Sequence, residues 1–322
     1  MSAVLQVENL RTHFFTRDGV VKAVDGVSIA LERGRVLGLV GESGSGKSIT
    51  GFSILGLVDP PGRIVDGRVL LDGRDLRVLD AEALRAVRGR HIAMIFQDPT
   101  TALDPVLSIG TQMIEAICAH RGVSRAAARD EAREALARVG IAAPDERLAA
   151  YPHQLSGGMR QRVAIAIALL HRPDVIIADE PTTALDVTIQ SQILAVMQKL
   201  CRESGTALVW ITHDLSVVAG LADEVAVMYA GRIVEQGSVG EVLDAPLHPY
   251  TRGLVDSVPS RHQRGAPIVA IPGAAPSPLA LPVGCAFRDR CSRATDTCRA
   301  EPGTTTIGTR TVRCFHPLKD RS

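Results

Sequence analysis

The stretch Gly41 to Ser48, reading Gly-Glu-Ser-Gly-Ser-Gly-Lys-Ser, constrains the fold of this 322-residue chain more than any other. It fits the pattern G-x-x-x-x-G-K-[ST], follows the apolar run Val36 to Val40 and precedes a helix-like segment, Ile49 to Leu57. Strand, glycine loop and helix in that order are the context in which the pattern binds phosphate rather than making a chance turn. Glycines let backbone N–H groups converge on phosphate oxygens, and the helix start adds its partial positive charge. Gly41, Glu42, Ser43, Gly44, Ser45, Gly46, Lys47 and Ser48, with Ile49 opening the helix, form the candidate nucleotide-contacting set. Lys47 is expected to reach the β- and γ-phosphates, and Ser48 to ligate Mg²⁺. That lysine stands out because the basic residues are otherwise nearly all arginine; the remaining lysines are Lys22, Lys199 and Lys319.

A second half of such a site is legible in Val175-Ile-Ile-Ala-Asp179-Glu180. A buried strand ending in two carboxylates puts Asp179 beside a magnesium shell and Glu180 where it can polarise an attacking water. The alternative, an exposed acidic strand end, weakens once the glycine loop is taken with it. A third element, Leu155-Ser156-Gly157-Gly158-Met159-Arg160-Gln161, opens the helical run Arg162 to Leu170. Serine and two glycines at a helix start make another anion-binding end, without a lysine.

Around these motifs the chain alternates strands and helices. Val4 to Val7, Ala23 to Ile29 and Val36 to Val40 read as strands between turn signals such as Asp18-Gly19 and Arg33-Gly34, and Val69 to Leu71 ends at Asp72-Gly73. Ile109 to Val139 turns alanine-rich and charged, the mark of an inserted helical region. Strand Val175 to Ala178, helix Thr188 to Leu200 and strands Ala207 to Ile211 and Glu224 to Met228 then restore the α/β rhythm. Beyond His248 the prolines at 259, 267, 272, 276, 278 and 282 predict an extended linker leading to a cysteine-rich tail.

Composition removes several classes. A formal charge of +1 without a cationic cluster argues against a nucleic-acid partner. The N-terminus lacks the basic start and apolar stretch of a secretory leader. The longest apolar run, Val163 to Leu170, is far shorter than the roughly 20 residues that cross a bilayer. A cytosolic or peripheral chain is expected, in which six cysteines do not form structural disulfides. Cys118 and Cys201 fall in helical segments and read as core cysteines, whereas Cys285, Cys291, Cys298 and Cys314 crowd into the tail. Their gaps of five, six and fifteen residues are not the paired C-x-x-C spacing of a zinc ribbon, and leave a metal site and free thiols equally open.

The Ser156-Gly157-Gly158 loop resembles the signature of ABC transporter ATPases, a resemblance that spans about residues 4–322. It implies an α/β fold: a RecA-like P-loop ATPase core with an antiparallel β subdomain and an α-helical subdomain inserted at about 99–165, together residues 1–247. An irregular cysteine-containing extension over 248–322 follows. It also implies ATP with Mg²⁺, sandwiched between the phosphate loop of one subunit and the signature loop of another. Phe14 matches the aromatic that stacks on adenine, with Phe15 as rival. Gln97 in Phe96-Gln-Asp-Pro matches the glutamine that senses Mg²⁺ and water and faces the membrane subunits. Ala184-Leu185-Asp186 looks like the loop crossing the dimer interface, and His213 like the switch histidine at the γ-phosphate.

Tyr151-Pro-His-Gln-Leu155, the run Ala178 to Gln190 and Leu247-His-Pro-Tyr-Thr251 narrow the resemblance to ATPases of dipeptide, oligopeptide and nickel importers. The partners so implied are a second, identical or sister ATPase, two transmembrane permeases, and indirectly a solute-binding protein. The location implied is peripheral, at the cytoplasmic face of the inner membrane. The surroundings of Cys285, Cys291 and Cys314 resemble the tail of peptide-importer ATPases with an iron–sulfur cluster, so a 4Fe-4S group is implied, with zinc the lesser alternative.

Overall fold

The computed structural model describes residues 3–183, 185–258 and 270–319. Ala184, Pro259 and Pro267 lie outside the described residues. Two compact units emerge: one comprises residues 1–31, 35–77 and 210–322, the other residues 32–34 and 78–209.

The first unit opens with two long strands, β1 (Ala3–Thr16) and β2 (Gly19–Glu32), much longer than the short runs read from the sequence. The polar pair Glu8-Asn9 hides the continuity of β1: Asn9 takes a left-handed φ of 47° and the register against its partner slips between Glu8 and Arg11. The strand therefore bulges and continues. Next come β3 (Val36–Val40), α1 (Lys47–Leu55), β4 (Gly62–Leu71) and β5 (Arg74–Asp75). A four-stranded sheet runs β2-β1-β4-β5, with β4 antiparallel to both β1 and β5. Helix α1 starts two residues earlier than periodicity suggests, because left-handed Gly46 (φ 104°) ends the loop there. It stops at Gly56, whose left-handed cap donates its N–H to the carbonyls of Phe52 and Ser53.

The second unit carries α2 (Ala81–Val87), β6 (Ile92–Ile95), α3 (Pro99–Ala102), α4 (Ile109–Cys118), α5 (Arg125–Arg138) and α6 (Pro144–Ala149). It continues with α7 (Gly157–Leu169), β7 (Val175–Asp179), α8 (Val187–Ser204) and the start of β8 (Ala207–Thr212). Ser108, Ser124, Ser156 and Asp186 each cap a helix by accepting a backbone N–H from the first turn. In α5 the buried residues Ala128, Ala132, Ala135 and Leu136 form one face, so alanine lets the helices approach closely. Strand β6 runs parallel to β7, which β8 flanks on its other side. All of β7 and β8 is buried, the pattern of strands covered on both faces. Among the described residues no helix is long and apolar enough to cross a membrane.

The chain returns to the first unit with α9 (Leu215–Leu221), β9 (Glu224–Tyr229), β10 (Arg232–Ser238), α10 (Val239–Asp244) and α11 (Pro249–Asp256). There the strands run β10-β9-β3-β8, with β9 parallel to β3. The tail adds β11 (Thr305–Ile307) and β12 (Arg310–Val312), an antiparallel hairpin that pairs with β10 through Glu235–Val312 and Gln236–Thr311. Composition gave no sign of this hairpin. Phe287 of the tail is buried with Tyr229 and Tyr250, ring centroids 5.3 and 5.4 Å away. Each aromatic pair contributes about 0.5–1.5 kcal/mol beyond its buried area. The tail thus shares the unit's core rather than needing one of its own. Cys201 is buried, as read; Cys118 is only half-buried, its Sγ facing the carbonyl of Val123 at 3.9 Å.

His248 caps α11: its Nδ1 accepts the N–H of Tyr250 at 3.0 Å, so the ring must be neutral there. Burial enforces this, holding its pKa down to about 3 from 6.5. The unfolded chain takes up a proton near pH 6.5 that the folded chain refuses until about pH 3, so this contribution is complete above pH 6.5 and is lost as pH falls. Replacing His248 with Asn, which keeps a cap acceptor, should flatten the decline of urea midpoints between pH 6.5 and 4. Equal slopes in wild type and variant would show that His248 does not carry it.

Candidate functional site

In the first unit the phosphate loop is held by its neighbours more than by its own contacts. A Cβ on Gly41 would stand 2.2 Å from the carbonyl oxygen of Met228, and one on Gly46 2.2 Å from that of Ala23. Both positions demand glycine, Gly46 also for its φ of 104°. Lys47, buried at the start of α1, donates from Nζ to the carbonyls of Gly41 (2.8 Å) and Glu42 (3.0 Å). Ser43 and Gly44 are exposed at the tip, and Ser48 and Ile49 are half-buried on the first helical turn. The buried Oγ of Ser45 has no hydrogen-bond partner among the described residues. An orphaned buried hydroxyl is costly, and in this loop it fits a polar ligand such as a phosphate oxygen.

Phe14 and Phe15 differ in facing. Thr12, buried, hydrogen-bonds Ser53 of α1 at 2.7 Å, and two residues on Phe14 shares that strand face. Its ring lies against Gly62, where a Cβ would meet it at 2.7 Å. Phe15 points the other way, is 46% exposed, and has the Arg63 guanidinium 5.8 Å above its ring. His213 is exposed beyond the end of β8, directly before Asp214, which caps α9 by accepting the N–H of Ser216 at 2.8 Å.

The second unit holds the remaining candidates. Asp179 is buried at the end of β7, and Glu180 follows in a left-handed conformation with φ 43°. A non-glycine residue there is strained by about 1–3 kcal/mol, and such strain clusters at functional sites. One carboxylate oxygen of Glu180 accepts from Thr183 Oγ1 at 2.9 Å and lies 3.4 Å from Gln97 Nε2. The fold therefore brings Gln97 to Glu180, and adds Thr183, which sequence reasoning passed over. Ser156 caps α7 through the N–H of Met159, with Gly157 and Gly158 on the first turn. A Cβ on Gly158 would stand 2.9 Å from Ile189, so the glycine lets α7 meet the start of α8. Asp186 caps α8 through the N–H of Ile189 at 2.9 Å.

In the tail, burial pushes the thiols of Cys285, Cys291 and Cys314 up, the last to about 11, and neighbouring sulfurs push the same way. Backbone N–H groups work the other way, those of Phe287 and Arg288 lowering the Cys285 thiol, that of Arg293 the Cys291 thiol, and that of His316, hydrogen-bonded to Cys314 Sγ at 3.3 Å, the Cys314 thiol. Among the described residues, no three or more His, Cys, Asp or Glu side chains close around a single metal ion.

Known proteins match this architecture. Residues 24–183 match the ABC transporter family, and residues 234–298 match the C-terminal region of oligopeptide/dipeptide transporters. The chain is 48% identical over 318 residues to the dipeptide transport ATP-binding protein DppD of Bacillus subtilis, covering 98% of this chain and 95% of that one. It is 46% identical over 320 residues to the oligopeptide transport ATP-binding protein OppD of Salmonella typhimurium, covering 99% and 95%. The chain belongs to the ABC transporter ATPases. Within them it lies in the branch of dipeptide and oligopeptide transport ATP-binding proteins. A solved structure of the ATP-binding cassette MJ0796, dimeric and bound to ADP and Pi, is 27% identical with a TM-score of 0.66, covering 73% of this chain and 98% of that one. This ABC ATPase is accordingly an ATP-hydrolysing subunit, and ATP and Mg²⁺ are its expected ligands.

Two contacts to the phosphate loop escaped sequence reading. Tyr250, from the His-Pro-Tyr segment, accepts the N–H of Glu42 on its hydroxyl at 2.8 Å, and Arg290 grips the Glu42 carboxylate. The unusual His-Pro-Tyr triplet was the available signal for the first; nothing local marks the second. Gly46→Ala should cost about 1–3 kcal/mol of stability through its left-handed backbone and abolish binding of a fluorescent ATP analogue. Retained affinity would mean that the loop tolerates displacement from Ala23.

Proposed function

We propose that this ABC ATPase powers import of dipeptides, oligopeptides or a related small solute. The match of residues 234–298 to the C-terminal region of oligopeptide/dipeptide transporters carries the substrate class. The partners in this reading are a second ATPase, two transmembrane permeases and, through them, a solute-binding protein, assembled at the cytoplasmic face of the inner membrane. Residues 1–247 act as the nucleotide-binding domain and 248–322 as its extension. Val106 is 76% exposed and suits contact with a permease, whereas nearby Leu103 is 2% exposed and does not.

Within that cycle Phe14 stacks on adenine, its strand face shared with Thr12 favouring it over Phe15. The loop from Gly41 to Ser48 cradles the phosphates, with Ile49 just beyond it and Lys47 as the phosphate-facing cation. Mg²⁺, held by Ser48, Asp179 and Gln97, would neutralise charge developing on the phosphates. Glu180 takes the proton of the attacking water, with Gln97 and Thr183 orienting its carboxylate. His213 meets the γ-phosphate, Ser156, Gly157 and Gly158 meet the partner subunit's nucleotide, and Asp186 lies at the dimer interface. Closure on ATP moves the permeases, and hydrolysis with product release resets them.

The four tail cysteines are read as ligands of a 4Fe-4S cluster, with zinc the alternative. Four thiols, with a backbone N–H bonded to Cys314 Sγ and backbone amides that favour the thiolate at Cys285 and Cys291, fit such a group chemically. A zinc ion would draw all four sulfurs to about 2.3 Å of one point, whereas a cluster carries each sulfur on its own iron.

In the assembled transporter, Glu180→Gln should keep ATP binding while lowering ATP turnover and peptide uptake together, by roughly 10²- to 10⁴-fold. Near-normal turnover would remove Glu180 from the role. Anaerobically purified protein should be brown, with iron and sulfide in near-equal amounts, and should lose colour on serine substitution of Cys298. Colourless protein with one zinc would refute the cluster; four freely alkylated thiols would refute any metal.

A further inference from the structure

Glu42 is the second residue of the phosphate loop, and it is tied down at three points. Its N–H donates to the hydroxyl of Tyr250 at 2.8 Å. Its carbonyl accepts from Lys47 Nζ at 3.0 Å and from the N–H of Ser45 at 3.2 Å. Its carboxylate meets Arg290 fork to fork: Nη1 to Oε2 at 2.7 Å and Nη2 to Oε1 at 2.9 Å. Two of these ties come from beyond residue 247 in a chain whose loop lies at 41–48.

The Arg290 fork differs from an ordinary surface ion pair. The arginine side chain is only 6% exposed, against 30% for Glu42. Its Nε donates to the carbonyl of Pro272 at 2.9 Å, and its guanidinium lies 5.9 and 5.8 Å from the rings of Tyr229 and Phe287. A buried, bidentate guanidinium held at Nε, Nη1 and Nη2 has little freedom to reorient, so it transmits position as well as charge. Exposed pairs are worth little because solvent screens them and both side chains move; here the arginine is buried and held by several partners, and only Glu42 keeps partial contact with solvent.

We propose that Arg290 and Tyr250 are positioning residues that hold the phosphate loop in its nucleotide-binding shape, making the cysteine-rich tail a determinant of ATP affinity. This rests on the reading of residues 41–48 as the nucleotide site. Coupling between two sites is reciprocal. A tail that stabilises the binding-competent loop must itself be stabilised when nucleotide binds.

The test uses the full chain, purified anaerobically, with a fluorescent ATP analogue and Mg²⁺, and reads both affinity and deuterium uptake of segment 284–298. Arg290→Gln should raise the dissociation constant about tenfold or more. Arg290→Lys, which keeps the charge but not the fork, should recover part of the loss, and Tyr250→Phe should weaken binding severalfold. Glu42→Gln combined with Arg290→Gln should be no weaker than the worse single variant, since both remove one interaction. In the wild type, the analogue should slow exchange in segment 284–298. A merely structural Arg290 would lower the thermal midpoint yet leave affinity, additivity and wild-type exchange untouched, and that pattern overturns the proposal. Should Arg290→Gln not fold, the wild-type exchange measurement decides alone, protection supporting and its absence refuting. If the wild-type chain does not bind the analogue, or Lys47→Ala binds it equally well, the site reading fails instead.

Discussion

The phosphate loop lies against two strand carbonyls at a distance that leaves no space for a side chain, and much of the first unit is organised around that approach. Gly41 faces the oxygen of Met228 on β9, and Gly46 faces that of Ala23 on β2. The loop's position is therefore inherited from these strands. Strand β9 is in turn fixed by β3 on one side and β10 on the other, and β10 carries the tail hairpin. Tyr229, the last residue of β9, stands in the aromatic cluster with Tyr250 and Phe287. Packing of the tail and placement of the loop are consequences of the same strand.

A buried polar chain reinforces this. Glu235 on β10 is fully buried, and its carboxylate accepts the N–H groups of Leu247 and His248, both at 2.8 Å. His248 accepts from Tyr250, and Tyr250 accepts from Glu42. Leaving one buried donor or acceptor unpaired costs about 1–3 kcal/mol, so each link holds the next in place. A satisfied network of this kind selects one arrangement among many apolar packings of similar energy. The His-Pro-Tyr segment has a physical meaning in these terms: histidine caps, proline starts the helix, and tyrosine reaches the loop.

These links explain what the sequence could and could not disclose. The glycine loop, the strand ending in Asp179-Glu180 and the Ser156-Gly157-Gly158 helix start were legible because each is local, its residues adjacent in the chain. Helix α1 was misplaced by two residues because Gly46, not hydrophobic periodicity, sets its start. Strand β1 was cut short because the Asn9 bulge interrupts the alternation by which a strand is read. The Glu42–Arg290 fork was invisible because 247 residues separate its partners and neither type is unusual at its position. The β11–β12 hairpin was passed over because its strands are only three residues each and β12 finds its partner in β10, about seventy-five residues earlier in the chain.

The second unit applies the same principle to a different residue. Glu180 precedes Pro181, and a proline disfavours the right-handed helical conformation in the residue before it. The strand ends at Asp179, so Glu180 must turn, and it turns through left-handed backbone at φ 43°. Nothing in the chemistry of a glutamate favours that conformation, and glycine would adopt it without strain. Keeping a carboxylate here makes sense only if its position is worth more than the strain. Thr183 and Gln97 converge on the same carboxylate oxygen, which directs the group once the backbone has set its origin. Asp179, one residue earlier, remains on regular, fully buried strand and needs no such device. The two adjacent carboxylates therefore differ in backbone state, an asymmetry that suits the proposed division between a metal-facing charge and a base.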